Sequence, residues 1–220
     1  MTPPGPTIRR IDDPEEEGPD VRPAEQRDVP SIAATLTIAL ADSRWTRWAL
    51  PDDGRMQRLT RLHELDAGHR GVSTRTAWVT DDVSSVAVWE APPGAAGTAP
   101  LPDDVRAALD RELPYLAADR WGGVRDTAAL VSAVRPAGPH WWLAHLGVRP
   151  TARRRGLAAA VLAPALLRCD ADGLPAAAAV FSWANVRFLR GFGFEVSTTT
   201  RTADDALPLW VLVRQPQPSG

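Results

Sequence analysis

The sequence predicts an α/β (α+β) fold, and three observations carry that prediction. An apolar run, Trp141-Trp142-Leu143-Ala144-His145-Leu146-Gly147-Val148, reads as a strand and passes directly into a basic glycine turn and an Ala/Leu-rich helix. Stretches of helical and of strand character interleave along the rest of the chain. Hydrophobic residues make up 44% of the 220 positions, enough for a sizeable core.

Taken in order, residues 1–18 are rich in Pro, Gly, Asp and Glu and read as a disordered N-terminal tail, with 19–214 one domain and 215–220 a C-terminal tail. Pro19–Pro23 is a short first strand. From Asp28, a predicted N-cap with Pro30 in the first turn, Ile32, Leu36 and Leu40 recur at helical spacing. Gly54 to His69 is a second helical region with Met56, Leu59, Leu62 and Leu65 along one stripe. Two strands, Thr76–Thr80 and Ser84–Trp89, flank the turn-forming Asp81-Asp82. Pro92 to Pro102 is a loop. Asp103 to Arg125 reads as one or two helices interrupted by Pro114 and Gly122-Gly123, followed by a further helix from Asp126 to Val134. After the Trp141 strand, a helix from Gly156 to Ala171 stops at Gly173, with a bend expected at Pro164. A strand (Ala176–Phe181), a short helix (Asn185–Gly191) and strands Phe194–Thr200 and Leu209–Arg214 complete the chain.

Composition excludes several classes of function. The formal net charge of −2 argues against a nucleic-acid partner, whose phosphates would demand a basic surface. All 25 basic residues are Arg, which removes lysine Schiff-base chemistry and a Walker-type phosphate loop. One Cys and four His residues give no recognisable metal pattern. The N-terminus lacks the apolar stretch of a secretory signal, and the longest apolar run, Leu157 to Leu167, is far short of the roughly 20 residues of a membrane span. These features predict a cytoplasmic protein with neither nucleic-acid nor membrane partners.

The chemistry sits in the turn. Between the Trp141 strand and its helix lies Arg149-Pro150-Thr151-Ala152-Arg153-Arg154-Arg155-Gly156-Leu157-Ala158. Such a turn points several backbone N–H groups at one spot, and the helix N-terminus adds partial positive charge, together a site for a pyrophosphate. Arg153-x-x-Gly156-x-Ala158 fits the [Gln/Arg]-x-x-Gly-x-[Gly/Ala] signature of acyl-CoA-dependent transferases. Downstream, Asn185-Val186-Arg187-Phe188-Leu189-Arg190-Gly191-Phe192-Gly193-Phe194 resembles the second signature of the GNAT N-acetyltransferase superfamily.

The resemblance covers most of 19–214. Within the superfamily it is nearest to the puromycin N-acetyltransferase group and its actinobacterial relatives, through Val21-Arg22-Pro23-Ala24, Asp28-Val29-Pro30, Trp78-Val79-Thr80-Asp81-Asp82, Val86-Ala87-Val88-Trp89 and Pro139 to Val148. It implies a mixed, mostly antiparallel sheet splayed between the Trp141 and Ala176 strands, with helices on both faces. It implies acetyl-CoA in the cleft: pantetheine along Leu146, Gly147 and Val148, the pyrophosphate on Arg153, Arg154, Arg155, Gly156, Leu157, Ala158 and Ala159, and a further contact from Asn185. The chain departs from the family where a Tyr usually follows the Phe of the second signature, since Leu189 stands there, and where a Glu is frequent in the preceding strand, since Ala179 stands there. Tyr115 is the one tyrosine and lies in the variable middle.

Loss of a general acid costs about 10²–10⁴ in rate. A thiolate of pKa about 8.5 is already a tolerable leaving group near neutral pH. The implied activity is therefore acetyl transfer to the amine of a small molecule, an antibiotic or secondary metabolite, by direct attack in a ternary complex. The amine would be one of low pKa, near ~8. The competing implication is a degenerate GNAT domain that binds acyl-CoA without turnover, motivated by Leu189 and Ala179. The protein is expected to be a monomer or homodimer.

Strand alternation puts His140 and Trp142 on one face and His145 on the other. His140 is thus the candidate base, through a water; the competing reading is a half-exposed histidine at a strand start. His145 reads as a packed residue, and His63 and His69 as residues of a solvated helix face. Ser182 is read as polarising a water or touching the cofactor, or else as a plain turn or cap residue. Asn185 is the expected cap of its helix. Cys169 reads as core, and Trp45, Trp48 and Trp183 as lining a flat acceptor site.

Overall fold

The computed structural model describes residues 19–217, so the expected tail at 1–18 and the last three residues of the C-terminal one lie outside the described residues. Seven strands form one sheet: β1 (Val21–Pro23), β2 (Ala77–Thr80), β3 (Ser85–Glu90), β4 (Trp141–Val148), β5 (Ala176–Val180), β6 (Glu195–Arg201) and β7 (Pro208–Arg214), in the order β1-β2-β3-β4-β5-β7-β6. The pairings are antiparallel except β4 with β5. That parallel pair is short, joining only Trp141–Leu143 to Ala176–Ala178. From Ala144 onward β4 stays with β3 while β5 stays with β7, and the sheet opens into the expected splay.

Helices cover both faces. On one lie α1 (Val29–Leu40), α2 (Arg44–Ala49), α3 (Arg55–His63), α4 (Arg70–Ser73), α5 (Asp103–Ala117) and α6 (Trp121–Val134); on the other lie α7 (Leu157–Asp172) and α8 (Trp183–Arg190). Strand alternation sorts the core between the faces. Ala87, Trp89, Trp141 and Leu143 pack on Val161, Leu162, Ala165 and Cys169 of α7 and on Val186 and Leu189 of α8. Val79, Val86 and Val88 pack on Ile32 and Leu36 of α1. Asp28 occupies the N-cap position of α1, but its side chain reaches back, accepting from Arg22 at 2.7 and 3.0 Å and from the Glu25 N–H at 2.8 Å. The hydrogen bonds from Arg22 hold its carboxyl below the usual range against the cost of burial.

Several expectations are corrected. The helix stripe of residues 54–69 is not continuous: α3 ends at His63, and Glu64–His69 widens into a π-helical segment before α4. Met56 is exposed, whereas His63 is 2% exposed. It occupies the buried face one turn beyond Leu59, not a solvated one. Pro114 does not break α5, because it falls in the last turn, and the helix ends instead at Ala118 with φ 50°. Gly122-Gly123 lies inside the first turn of α6, which runs unbroken to Val134. Pro164, where a bend is expected, lies inside α7, which runs on to Asp172.

The most consequential correction concerns β4. Val88 pairs with His145 but Trp89 pairs with Leu143, so Ala144 is the extra residue of a β-bulge. A bulge inverts alternation beyond it. His145 therefore lies on the same face as Trp142, not opposite to it, and faces α3 and the π-helical segment.

Candidate active site

The open edge of β4 is the floor of the site. From Ala144 to Val148 the strand is paired on one side only, leaving its β5-facing backbone groups without a strand partner among the described residues. Gly147 lets α1 settle on this stretch, since a β-carbon there would lie 2.7 Å from Leu36 Cδ2 and 3.1 Å from Ala39 Cβ. Leu146 turns to the α7 face and packs at its core.

The turn follows directly. Arg154 and Gly156 adopt left-handed backbone, φ 63° and 75°, which brings Arg153, Arg154, Arg155 and Gly156 to the surface around the start of α7. The first backbone bond of the helix is Ala160 N–H to Gly156 C=O at 3.1 Å, so the amides of Leu157, Ala158 and Ala159 precede it and are free to donate outward. A β-carbon at Gly156 would meet nothing within 4 Å, so the glycine itself faces open space. Leu157 is buried, and its carbonyl accepts from Ser85 Oγ at 3.3 Å, fixing the turn to β3. Arg153 donates to the carbonyls of Ala39 (3.2 Å) and Val148 (3.4 Å), while Arg154 and Arg155 have no protein partner among the described residues. Backbone donors, the helix dipole and two exposed arginines thus belong to one short turn. A diphosphate fits that chemistry.

Across the splay, Trp45 of α2 stacks on Phe181 at 4.6 Å and lies 5.0 Å from Trp48, whose indole N–H donates to Asp204 at 2.8 Å. Helix α2, the end of β5 and the β6–β7 loop meet there as an aromatic wall. Trp183 is not part of it: it lies 5.8 Å from Trp210 with Arg190 over its ring.

His140 and Ser182 fall in different places. His140 sits just before β4 at its closed end, about 13 Å along the chain from Ala144 by the ordinary rise of an extended residue, with Nδ1 2.7 Å from the Gly138 carbonyl. Ser182 is the N-cap of α8, its Oγ accepting the Asn185 N–H at 3.2 Å. Asn185 is therefore not the cap but the third helical residue, and it is exposed. Leu189 is buried in the core at 2% exposure, and Tyr115 stands 76% exposed on α5. Burial pushes the Cys169 thiol up to about 12, which makes it inert.

Sequence reasoning missed a cluster behind the bulge. His145 Nε2 lies 2.9 Å from Asp66 Oδ2, and Asp66 Oδ1 lies 2.9 Å from Arg70. Arg70 and Arg135 both bond Glu90, at 3.2 and 2.7 Å, and Arg135 lies 3.9 Å over the Trp142 ring. Burial works against ionisation of Asp66, but the His145 hydrogen bond and the Arg70 charge hold its carboxyl well below the usual range. His63 meets the His145 ring edge-on at 5.6 Å, and its Nδ1 is 3.3 Å from Thr37 Oγ1. Burial and the neighbouring His145 drive its pKa down to about 3, so it stays neutral. Only the spacing of His63 after Leu59 was there to be read; the bulge and the π-helical segment leave no signal in a single sequence.

Among the described residues no helix is long and apolar enough to cross a membrane, and no three His, Cys, Asp or Glu side chains are grouped to hold a metal. The sequence profile of the acetyltransferase (GNAT) family matches residues 84–194, half of the chain, from the start of β3 through the turn to the end of α8. Solved structures share the architecture. A histone acetyltransferase HPA2-related acetyltransferase from Corynebacterium glutamicum superposes with TM-score 0.67 at 22% identity, over 92% of this chain and 98% of that one. A Drosophila melanogaster polyamine N-acetyltransferase gives 0.59 at 15% identity, over 89% and 99%. An Aedes aegypti putative arylalkylamine N-acetyltransferase gives 0.53 at 14%, over 89% and 86%. The chain belongs to the acetyltransferase (GNAT) family, acyltransferases that generally draw on acetyl-CoA as donor.

Proposed function

We propose that the chain is an acetyl-CoA-dependent N-acetyltransferase that moves an acetyl group to the amine of a small molecule by direct attack in a ternary complex. The observation that carries this reading is the continuity of the open β4 edge with the amides and arginines around Gly156. Leu146, Gly147 and Val148 would pair with the pantetheine arm. The amides from Arg153 to Ala159, with Arg154 and Arg155, would hold the diphosphate, and exposed Asn185 would reach the same ligand from α8.

The aromatic wall of Trp45, Trp48 and Phe181 suits a flat, apolar acceptor. An antibiotic or secondary metabolite of the kind handled by the puromycin N-acetyltransferase group fits that description. The solved relatives whose names specify polyamine or arylalkylamine acetylation widen the choice to other small amines. Holding amine and thioester in line supplies several kcal/mol of barrier reduction without any acid, by about 7 kcal/mol or more in well-oriented systems. The reading includes a cytoplasmic monomer or homodimer.

The test has two stages on one sample. Acetyl-CoA should raise the melting temperature by mass action, and a panel of amines including puromycin should yield an acetylated product by mass spectrometry. Burial of Leu189, where relatives place an acid, favours one other reading, a domain that binds acyl-CoA without turnover. Thermal stabilisation with no product from any amine would select it.

A further inference from the structure

We infer that His145, oriented by Asp66, is the group that receives the proton of the attacking amine. This inference rests on the acetyl-transfer reading. The bulge at Ala144 brings His145 onto the Trp142 face, on the stretch of β4 that β5 has already left, beside the open edge. The catalytic need is simple: an amine that forms a C–N bond must shed a proton, and a base must stand near the splay to take it.

The hydrogen bonding fixes the tautomer. An ionised Asp66 can only accept, so Nε2 carries the hydrogen and Nδ1 keeps its lone pair. Nδ1 has no hydrogen-bond partner among the described residues, and the His145 side chain keeps 15% of its surface open. Asp66 is the positioning residue: it holds the ring and stabilises the imidazolium that forms. Every neighbouring element is compatible with that charge. The π-helical segment brings Asp66, and α4 brings Arg70, whose charge is shared between Asp66 and Glu90. α3 brings His63, buried and neutral. The residues of α1 and of β3 up to Trp89 carry no charge.

The step balances. The amine lone pair forms the C–N bond at the thioester carbonyl, and the amine proton passes to His145 Nδ1 through one water. The C–S bond then breaks, the thiolate leaves with its electron pair, and the proton returns from Nδ1 to sulfur. The products are the amide and the free thiol.

The test measures kcat/KM against pH, with the best amine of the panel, for wild type, His145→Gln, Asp66→Asn and His140→Gln. The acetyl-CoA shift in melting temperature serves as the check of fold and donor binding. His145→Gln should lose about 10²–10⁴-fold in kcat/KM. Asp66→Asn should fall between it and wild type, and imidazole added to His145→Gly should restore part of the rate. His145→Gln within threefold of wild type, or the loss appearing in His140→Gln instead, overturns this inference alone. A wild type that binds acetyl-CoA but acetylates no amine overturns the transferase reading and this inference with it. Should His145→Gln not fold, nitrogen NMR of the wild type decides: the Nε2–H tautomer is expected, and the Nδ1–H tautomer overturns the assignment.

Discussion

Gly147 lies directly against Leu36: a β-carbon at 147 would come within 2.7 Å of Leu36 Cδ2. Close approach of α1 to β4 therefore depends on the missing side chain. The neighbouring clash, 3.1 Å to Ala39 Cβ, involves an atom that cannot rotate away. Gly147→Ala should destabilise by about 1–3 kcal/mol through overpacking. In a chain of this size that lowers the melting temperature by about 2–4 °C per kcal/mol. An unchanged melting temperature would mean that α1 is free to shift.

Gly156 presents the opposite case. Its φ of 75° is left-handed, yet nothing lies within 4 Å of the missing β-carbon. Gly156→Ala should cost about 1–2 kcal/mol in backbone strain. In addition it should weaken acetyl-CoA by about tenfold or more, because the methyl group intrudes where amide–phosphate hydrogen bonds of about 1.5–3 kcal/mol would form. Gly173→Ala, at φ 64° and the far end of the same helix, is the control. Titration calorimetry should show donor affinity lost in the first variant and kept in the second.

How far the site was legible follows from the same contrast. The turn from Arg149 to Ala158 could be read because its chemistry is local: a strand, a left-handed glycine and a helix start are consecutive in sequence. The splay between β4 and β5 came with the family resemblance. The sheet register could not be read. One extra residue at Ala144 inverts every inward and outward assignment beyond it, and that is why simple alternation puts His145 on the wrong face. The widening of the helix at Glu64–His69, which carries Asp66 toward His145, is equally invisible to a 3.6-residue periodicity.

The C-terminal strand is tied to α7 by one half-buried ion pair. Arg214 donates to both Asp170 oxygens at 2.6 and 2.8 Å, and the Gln217 N–H adds a third bond at 2.7 Å. The Arg214 hydrogen bonds hold the Asp170 carboxyl below its ordinary value against the cost of burial. Removing one partner leaves the other charge uncompensated. Arg214→Met should therefore cost about 1–3 kcal/mol, read as a lower urea midpoint at unchanged slope.

Acid stability should reveal His63 before the carboxylates. Its folded pKa of about 3 lies below the ordinary 6.5, so the unfolded chain binds more protons between those values. Stability is then intact above pH 6.5 and declines as pH falls, by at most about 1.4 kcal/mol per pH unit. From pH 7 to pH 5 the loss is about 2 kcal/mol. Asp28, Asp66 and Asp170, all held below their usual range, join only as pH drops under about 4. Urea unfolding at pH 7, 6 and 5 should show this slope in the wild type and a flatter one in His63→Gln.

Position 189 separates resemblance from geometry. The family resemblance implies a tyrosine there as the acid, which invites the substitution Leu189→Tyr as a repair. The structure predicts the opposite. Leu189 and Val186 are the buried residues of α8, packed at 2% and 0% exposure among Trp89, Leu143 and Phe194. A tyrosine must force a larger ring into that core and find a partner for its hydroxyl, at a cost of about 1–3 kcal/mol. The exposed neighbour Phe188 does not substitute for it, since its ring lies at 5.0 Å from Phe192 on the outer side of the helix. Leu189→Tyr should melt at a lower temperature with no gain in kcat for any amine the wild type accepts. A rise in kcat would mean that α8 repacks to turn residue 189 toward the cleft.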